Sequence, residues 1–162
     1  MVKIGIIGVG NTIGIARNHI EAYKCCPDAV VTAVYDIRSE RAQQTIDKME
    51  LHDAKACTSL EELFRLCDAV SICTYNCQHA PCAIYALEHG VNVMLEKPFT
   101  VTLDEAVAVM KAEKASGKLL TIGFQPRMSE NMQMIKKIVD SGELPELRAV
   151  LDSEQGRAAQ LE

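Results

Sequence analysis

The sequence has no basic block to offset its formal net charge of −5, which excludes nucleic acid as its main partner. No apolar run approaches the length of a membrane span, and the N-terminus lacks the basic-then-apolar order of a signal peptide. The expectation is a cytoplasmic chain with no membrane partner. No C-x-x-C pair occurs, and the seven cysteines are odd in number, so they read as reduced thiols. Cys73, Cys77 and Cys82 with His79 fit no common zinc spacing, and no metal is expected. Internal repeats and low-complexity stretches are absent as well.

What is present suits one folded domain. With 48% apolar and 24% charged residues over 162 positions, the chain can bury a proper core. Its organising stretch is the start. Val2 to Ile7 is a short β-branched run that reads as a buried strand, and helical spacing begins near Ile15. Between them Gly8-Val-Gly10-Asn11-Thr12-Ile13-Gly14 resembles the dinucleotide fingerprint G-x-G-x-x-G, with one residue too many. A strand, a glycine turn and a helix in that order offer backbone N–H groups and a helix N-terminus to a phosphate.

Further along, apolar strands alternate with amphipathic helices. Strands are expected at Ala29 to Tyr35, Lys55 to Cys57, Asp68 to Cys73, Val91 to Leu95 and Leu119 to Gly123. Helix one shows Ala16, Ile20 and Tyr23 on one face, and Ser39 to Met49 is a second helix with Ala42, Ile46 and Met49 inward. Thr58-Ser-Leu-Glu61 and Thr102-Leu-Asp-Glu105 read as capping boxes. In the helix after the second box, Leu103, Ala106, Val107 and Met110 are expected inward. Such alternation implies an α/β fold with a doubly wound, mostly parallel sheet of about six strands.

Ligands of such sheets bind outside the carboxyl ends of the strands. The glycine loop, Asp36, Thr74 to His79 and Glu96-Lys97-Pro98 all fall there. Asp36 lies 22 residues past Gly14, near the ~20 expected of the carboxylate that holds the ribose hydroxyls of NAD. Its competing reading is as a cap for the Ser39 to Met49 helix. Arg38 could meet a 2′-phosphate, so NADP stays open while the balance favours NAD.

With Glu96-Lys97-Pro98 the chain resembles the N-terminal half of the Gfo/Idh/MocA oxidoreductases, the glucose-fructose oxidoreductase and inositol dehydrogenase family. The matching stretches run from Gly5 to Gly10, through Ala33 to Asp36 with Arg41-Ala42, Thr74 to His79 and Gly90 to Pro98. Gly123-Phe-Gln-Pro-Arg127 and Ile135 to Leu147 complete them. The resemblance implies a Rossmann domain over residues 1–124, a connecting segment and helix over 125–145, and the first strand of an absent or truncated second α/β domain over 146–162. It implies NAD or NADP as cofactor and a sugar or polyol as small-molecule substrate.

Lys97 would be catalytic, standing beside the nicotinamide and favouring an oxygen anion on the substrate. Its other reading is a surface lysine after a strand. Gly8, Gly10, Asn11, Thr12, Ile13, Asp36, Arg38, Thr74, Asn76, His79, Glu96, Lys97 and Gln125 would line the cofactor site. Taken alone, His79 reads equally well as a helix-start residue bonded to its own loop. Arg127 is either near the nicotinamide or an ion-pairing residue.

Three features depart from the family. The extra residue in the glycine loop implies either altered phosphate contacts or lost affinity. Tyr75 stands where the family commonly has proline. The chain is also short, lacking the second domain with the aspartate and histidine used for proton transfer. Leu161-Glu162 resembles a cloning scar. A chain trimmed in this way should bind dinucleotide and turn over little. The alternatives are a non-catalytic dinucleotide-binding or sensing module, and a methyltransferase, in which Glu96-Lys97-Pro98 would have no role. Leu147 to Leu151, expected as a strand without its own sheet, would seek an edge on another copy and allow a homo-oligomer.

Overall fold

The computed structural model describes residues 1–10 and 14–143, which fall in two compact units, Met1–Gly123 and one beginning at Phe124. In the first unit the strands are β1 (Val2–Ile7), β2 (Ala29–Tyr35), β3 (Lys55–Cys57), β4 (Ala69–Ile72), β5 (Asn92–Leu95) and β6 (Leu120–Ile122). The helices between them are α1 (Ile15–Lys24), α2 (Ser39–Met49), α3 (Leu60–Phe64), α4 (His79–Glu88) and α5 (Leu103–Ser116). The sheet runs β3-β2-β1-β4-β5-β6, and all five neighbouring pairs are parallel. This is a Rossmann α/β fold, wound outward in both directions from β1 and β4.

The period of two along each strand divides the core between the two faces. Ile4 and Ile6 of β1 and Val31 and Val34 of β2 pack with Ala16 and Ile20 of α1 and Ala42 and Ile46 of α2. On the other face Ile7, Val70, Ile72, Val93 and Leu95 meet Leu63 of α3, Ala83 and Leu87 of α4 and Val109 of α5. A fully buried residue such as Ile6 or Ile20 contributes about 1.5–3 kcal/mol by leaving water. The register slips once, because Ile4 faces Val31 while Gly5 faces Ala33. The extra residue, Thr32, donates its hydroxyl to Leu66 O at 2.7 Å.

Two local expectations are corrected. On α5 only Val109 is fully buried, with Ala112 packed beside it, whereas Leu103, Val107 and Met110 are exposed. Apolar residues occur on more than one side of this helix, so spacing alone did not choose the seated face; the side carrying Val109 and small alanines lets α5 approach α4. The first capping box is displaced by one residue. Ser59 caps α3 by accepting the Glu62 N–H, and Glu62 Oε2 accepts from Thr58 N at 2.8 Å and Thr58 Oγ1 at 3.1 Å. Glu62 is also drawn to Lys55 Nζ at 2.6 Å, an ion pair on the neighbouring β3 that Glu61 does not make. The second box forms as read, Thr102 with Glu105.

In the second unit a 3-10 turn over Gln125–Met128 leads to α6 (Glu130–Ser141). Ser129 Oγ caps α6 through the Met132 N–H, and Gly142 ends it at φ +80°. The strand expected at Leu147 to Leu151 lies outside the described residues.

Candidate functional site

The order β2-β1-β4-β5 sets four neighbouring strand ends along one edge, and the winding reverses between β1 and β4. Backbone bonds carry the ladder past the strands. Gly8 N–H donates to Tyr35 O at 2.9 Å, Cys73 N–H to Ile7 O at 2.8 Å, Glu96 N–H to Ile72 O at 3.1 Å and Gly123 N–H to Leu95 O at 2.8 Å. The segments that leave this edge are the glycine loop, the Asp36 turn, Thr74 to His79 and Glu96-Lys97-Pro98. The edge thus collects the segments singled out in the sequence from the described part of the first unit.

Gly8 turns the chain off β1 with φ +83°, and a Cβ there would lie 2.7 Å from Thr74 Cγ2 and 3.0 Å from its backbone. Gly10 has φ +61°, and no atom of the described residues lies within 4 Å of the same position. Asp36 is buried against this loop. Its Oδ2 accepts the N–H groups of Val9 at 3.0 Å and Gly10 at 3.3 Å, and Oδ1 accepts that of Arg38 at 3.0 Å. Arg38 itself is the N-cap of α2, without a side-chain cap bond, so Asp36 closes its own turn and the glycine loop instead of capping α2. Asn11, Thr12 and Ile13 lie outside the described residues.

Beyond β4, Thr74 Oγ1 is buried with no hydrogen-bond partner among the described residues. Asn76 opens an exposed 3-10 turn over Asn76–Gln78. His79 is 1% exposed; its Nδ1 lies 2.6 Å from Pro98 O and its Nε2 3.3 Å from Thr74 O. Both partners are carbonyl oxygens, one in the Thr74 loop and one in the segment after β5, and the ring lies between them. The Lys97–Pro98 bond is cis. Lys97 is exposed and has no ion-pair partner among the described residues, while Glu96 is buried. Gln125 belongs to the second unit and begins its 3-10 turn.

An unexpected group lies behind Glu96. Its Oε1 is 2.9 Å from His19 Nε2, His19 Nδ1 is 3.1 Å from Ser71 Oγ, and Ser71 Oγ is 2.7 Å from Tyr23 OH. Burial raises the Tyr23 hydroxyl pKa against the pull of its bond to Ser71. Cys73 is pushed up to about 12 by burial first and the Glu96 charge second. The signal for this group was in the sequence: His19 shares the α1 stripe with Ala16, Ile20 and Tyr23, and Ser71 is a lone hydroxyl inside an apolar strand.

Positive charge collects at the Asp36 end. Arg17, Arg41 and Lys48 line a cavity of about 160 Å³ between α1 and α2, together with Gly10 and Gly14. Among the described residues no three His, Cys, Asp or Glu gather as metal ligands, and no helix is long and apolar enough to cross a membrane. A dinucleotide fits the edge on two counts. The open space beside Gly10 admits a phosphate close to the backbone, and the orphaned Thr74 hydroxyl wants a polar partner.

The sequence pattern of the Gfo/Idh/MocA oxidoreductase family, NAD-binding Rossmann fold, matches residues 2–124. The chain belongs to this family. It is 35% identical over 146 residues to an inositol 2-dehydrogenase of Salmonella typhimurium, covering 88% of this chain and 42% of that one. A glucose-6-phosphate 3-dehydrogenase of Bacillus subtilis is 30% identical over 152 residues, covering 93% and 41%. Among solved structures, the myo-inositol dehydrogenase of Lactobacillus casei in complex with NAD(H) and myo-inositol superposes with a TM-score of 0.80 at 28% identity, over 88% of this chain and 42% of that one. The chain thus contains the family's NAD-binding Rossmann domain and spans less than half the length of these relatives.

Proposed function

We propose that this chain is the nucleotide-binding half of a cytoplasmic NAD(P)-dependent oxidoreductase that moves hydride at a hydroxyl-bearing carbon of a sugar or polyol. One observation carries the reading: the glycine loop, Asp36, the unpartnered Thr74 hydroxyl and Lys97 leave one sheet edge at the reversal of strand order. Gly8, Gly10 and the start of α1 would hold the diphosphate, and Asp36 the adenosine ribose. Asn76 would belong to the same cleft. The bound nicotinamide would supply the hydride acceptor or donor.

Lys97 would act electrostatically. An exposed ammonium without an ion-pair partner among the described residues can hold a substrate oxygen and favour its anion as the C–H bond weakens. Asp36 supports NAD over NADP, since a second negative charge on the ribose would face a carboxylate; Arg38 and the basic cavity keep NADP as the second choice. The relatives named above are more than twice as long, and dinucleotide binding is the part of the activity proposed for these 162 residues.

Thermal unfolding with added dinucleotide tests the reading. NAD or NADH at a hundred times its Kd would stabilise the chain by ~2.7 kcal/mol, visible as a raised Tm. An unchanged Tm at millimolar NAD and NADP would remove the cofactor assignment.

A further inference from the structure

The buried line behind the sheet edge runs from Tyr23 through Ser71 and His19 to Glu96, and it ends on a backbone group of Lys97. Glu96 Oε2 accepts the Lys97 N–H at 3.2 Å while Oε1 takes His19 Nε2. A carboxylate only accepts, so Nε2 is the donor and Nδ1 is left to the Ser71 hydroxyl. His19, Ser71 and Glu96 are 9%, 0% and 4% exposed. Gly123 also lies close against this group, since a Cβ there would come within 2.8 Å of Glu96 Oε1.

Burying such groups is costly, and hydrocarbon of the same shape would stabilise the fold as well or better. Hydrocarbon could not fix the Lys97 N–H. It also could not connect that N–H to α1, the helix that follows the glycine loop.

We propose that His19 is a positioning residue for Lys97: acting through Glu96, it couples the seating of α1 to the placement of the Lys97 backbone. The proposal rests on the function proposed above, because coupling matters only if a dinucleotide settles on the loop ahead of α1. Ligand held at the α1 N-terminus would then steady Lys97 before any substrate arrives.

Amide hydrogen exchange at Lys97, followed by NMR in the whole chain, reads this directly. His19→Gln sets an amide donor near the former Nε2 and retains the bond to Glu96. His19→Asn reaches only the Ser71 side. In the free chain, exchange at Lys97 should speed up roughly threefold or more in His19→Asn and stay near the parent rate in His19→Gln. Exchange at Ile6 in the core reports general loosening, and a merely structural role would move Ile6 and Lys97 together. Saturating NAD should slow Lys97 exchange in the parent and in His19→Gln but not in His19→Asn.

Should His19→Asn fail to fold, Ser71→Ala frees the far side of the imidazole without touching Glu96, and it too should quicken Lys97 relative to Ile6. Equal Lys97 rates in the Asn and Gln variants, or no selective change in Ser71→Ala, overturn the proposal. If NAD leaves both Tm and exchange untouched, the cofactor reading and the coupling fall together, while the free-chain rates still decide whether His19 positions Lys97.

Discussion

Asp36 reaches back 27 residues to Val9, its Oδ2 accepting the Val9 N–H at 3.0 Å from a buried position. The same oxygen takes Gly10 N–H, and Oδ1 takes Arg38 N–H. A carboxylate offers about four acceptor sites. Among the described residues three are filled by backbone, and the proposed ribose hydroxyl would take a fourth. In the function proposed above Asp36 would have two tasks, shaping the loop and meeting the ligand, and they can be separated.

Asp36→Ala should lower the stability of the free chain by about 1–3 kcal/mol, because buried donors lose a charged acceptor. It should also weaken NAD by about tenfold or more, the worth of one hydrogen bond to a charged group. NADP should lose less, since removing the carboxylate relieves repulsion on its 2′-phosphate. Thermal melts and paired titrations measure both effects. Equal losses for the two dinucleotides would confine Asp36 to shaping the loop.

The two leading glycines make a sharper contrast. Gly8→Ala sets a methyl 3.0 Å from the Thr74 backbone at φ +83° and should destabilise by about 2 kcal/mol or more. Among the described residues Gly10→Ala meets nothing within 4 Å, so its left-handed backbone is the penalty expected, roughly 1–2 kcal/mol. Its methyl would nevertheless occupy the space a phosphate needs. The expected outcome is that Gly10→Ala loses more dinucleotide affinity than stability, and Gly8→Ala chiefly stability. If Gly10→Ala binds NAD as the parent does, the phosphates lie elsewhere.

Cysteine chemistry gives an independent reading of the cleft. Burial pushes the Cys67 and Cys73 thiols up to about 12, and Cys57 and Cys82 are buried, whereas Cys25, Cys26 and Cys77 are exposed. Alkylation of the native chain near pH 8 should therefore modify these three first. Cys77 lies in the turn beside Asn76, so NAD should slow its modification and leave Cys25 and Cys26 unchanged. Mass spectrometry of the adducts decides it. Early loss of Cys73, or uniform rates with and without NAD, would contradict the proposed placement of the ligand.

Much of the architecture was legible because β1, β2 and β4 are short runs rich in β-branched residues, separated by amphipathic helices. Ala29–Tyr35 and Ser39–Met49 occur with the bounds their apolar periods and turn residues imply. The seating of α5 was not legible: Val107 and Val109 are chemically alike, and only the approach of α4 distinguishes the face that is buried. Within the site, residues that end strands could be assigned to one edge from topology alone. The His19 partner of Glu96 could not, because His19 meets Glu96, and Ser71 meets His19, only once α1 is seated on the sheet. A polar residue in an apolar stripe says that a partner exists, not which one.

The Glu62 carboxylate ties α3 to β3, and its charge makes that tie depend on pH. Lys55, then the N–H and hydroxyl of Thr58, hold its pKa down to about 2; the Tyr85 hydroxyl chiefly does the same for Glu61. Both values lie below the ~4.3 of an unfolded glutamate. The contribution is therefore complete above that unfolded value and disappears as pH falls through about 2. The groups face water, so the effect is small and weakened by salt. Lys55, raised mainly by Glu62, gives the mirror case: its share is complete below the ~10.4 of an unfolded lysine and is lost as pH rises through its higher folded value. Glu62→Gln should accordingly lower Tm at pH 7 in low salt and make little difference near pH 2, where the parent carboxylate is itself being protonated. Melting curves of both proteins at the two pH values test this. A Tm difference that persists unchanged at pH 2 would assign the effect to lost packing around Thr58 instead of charge.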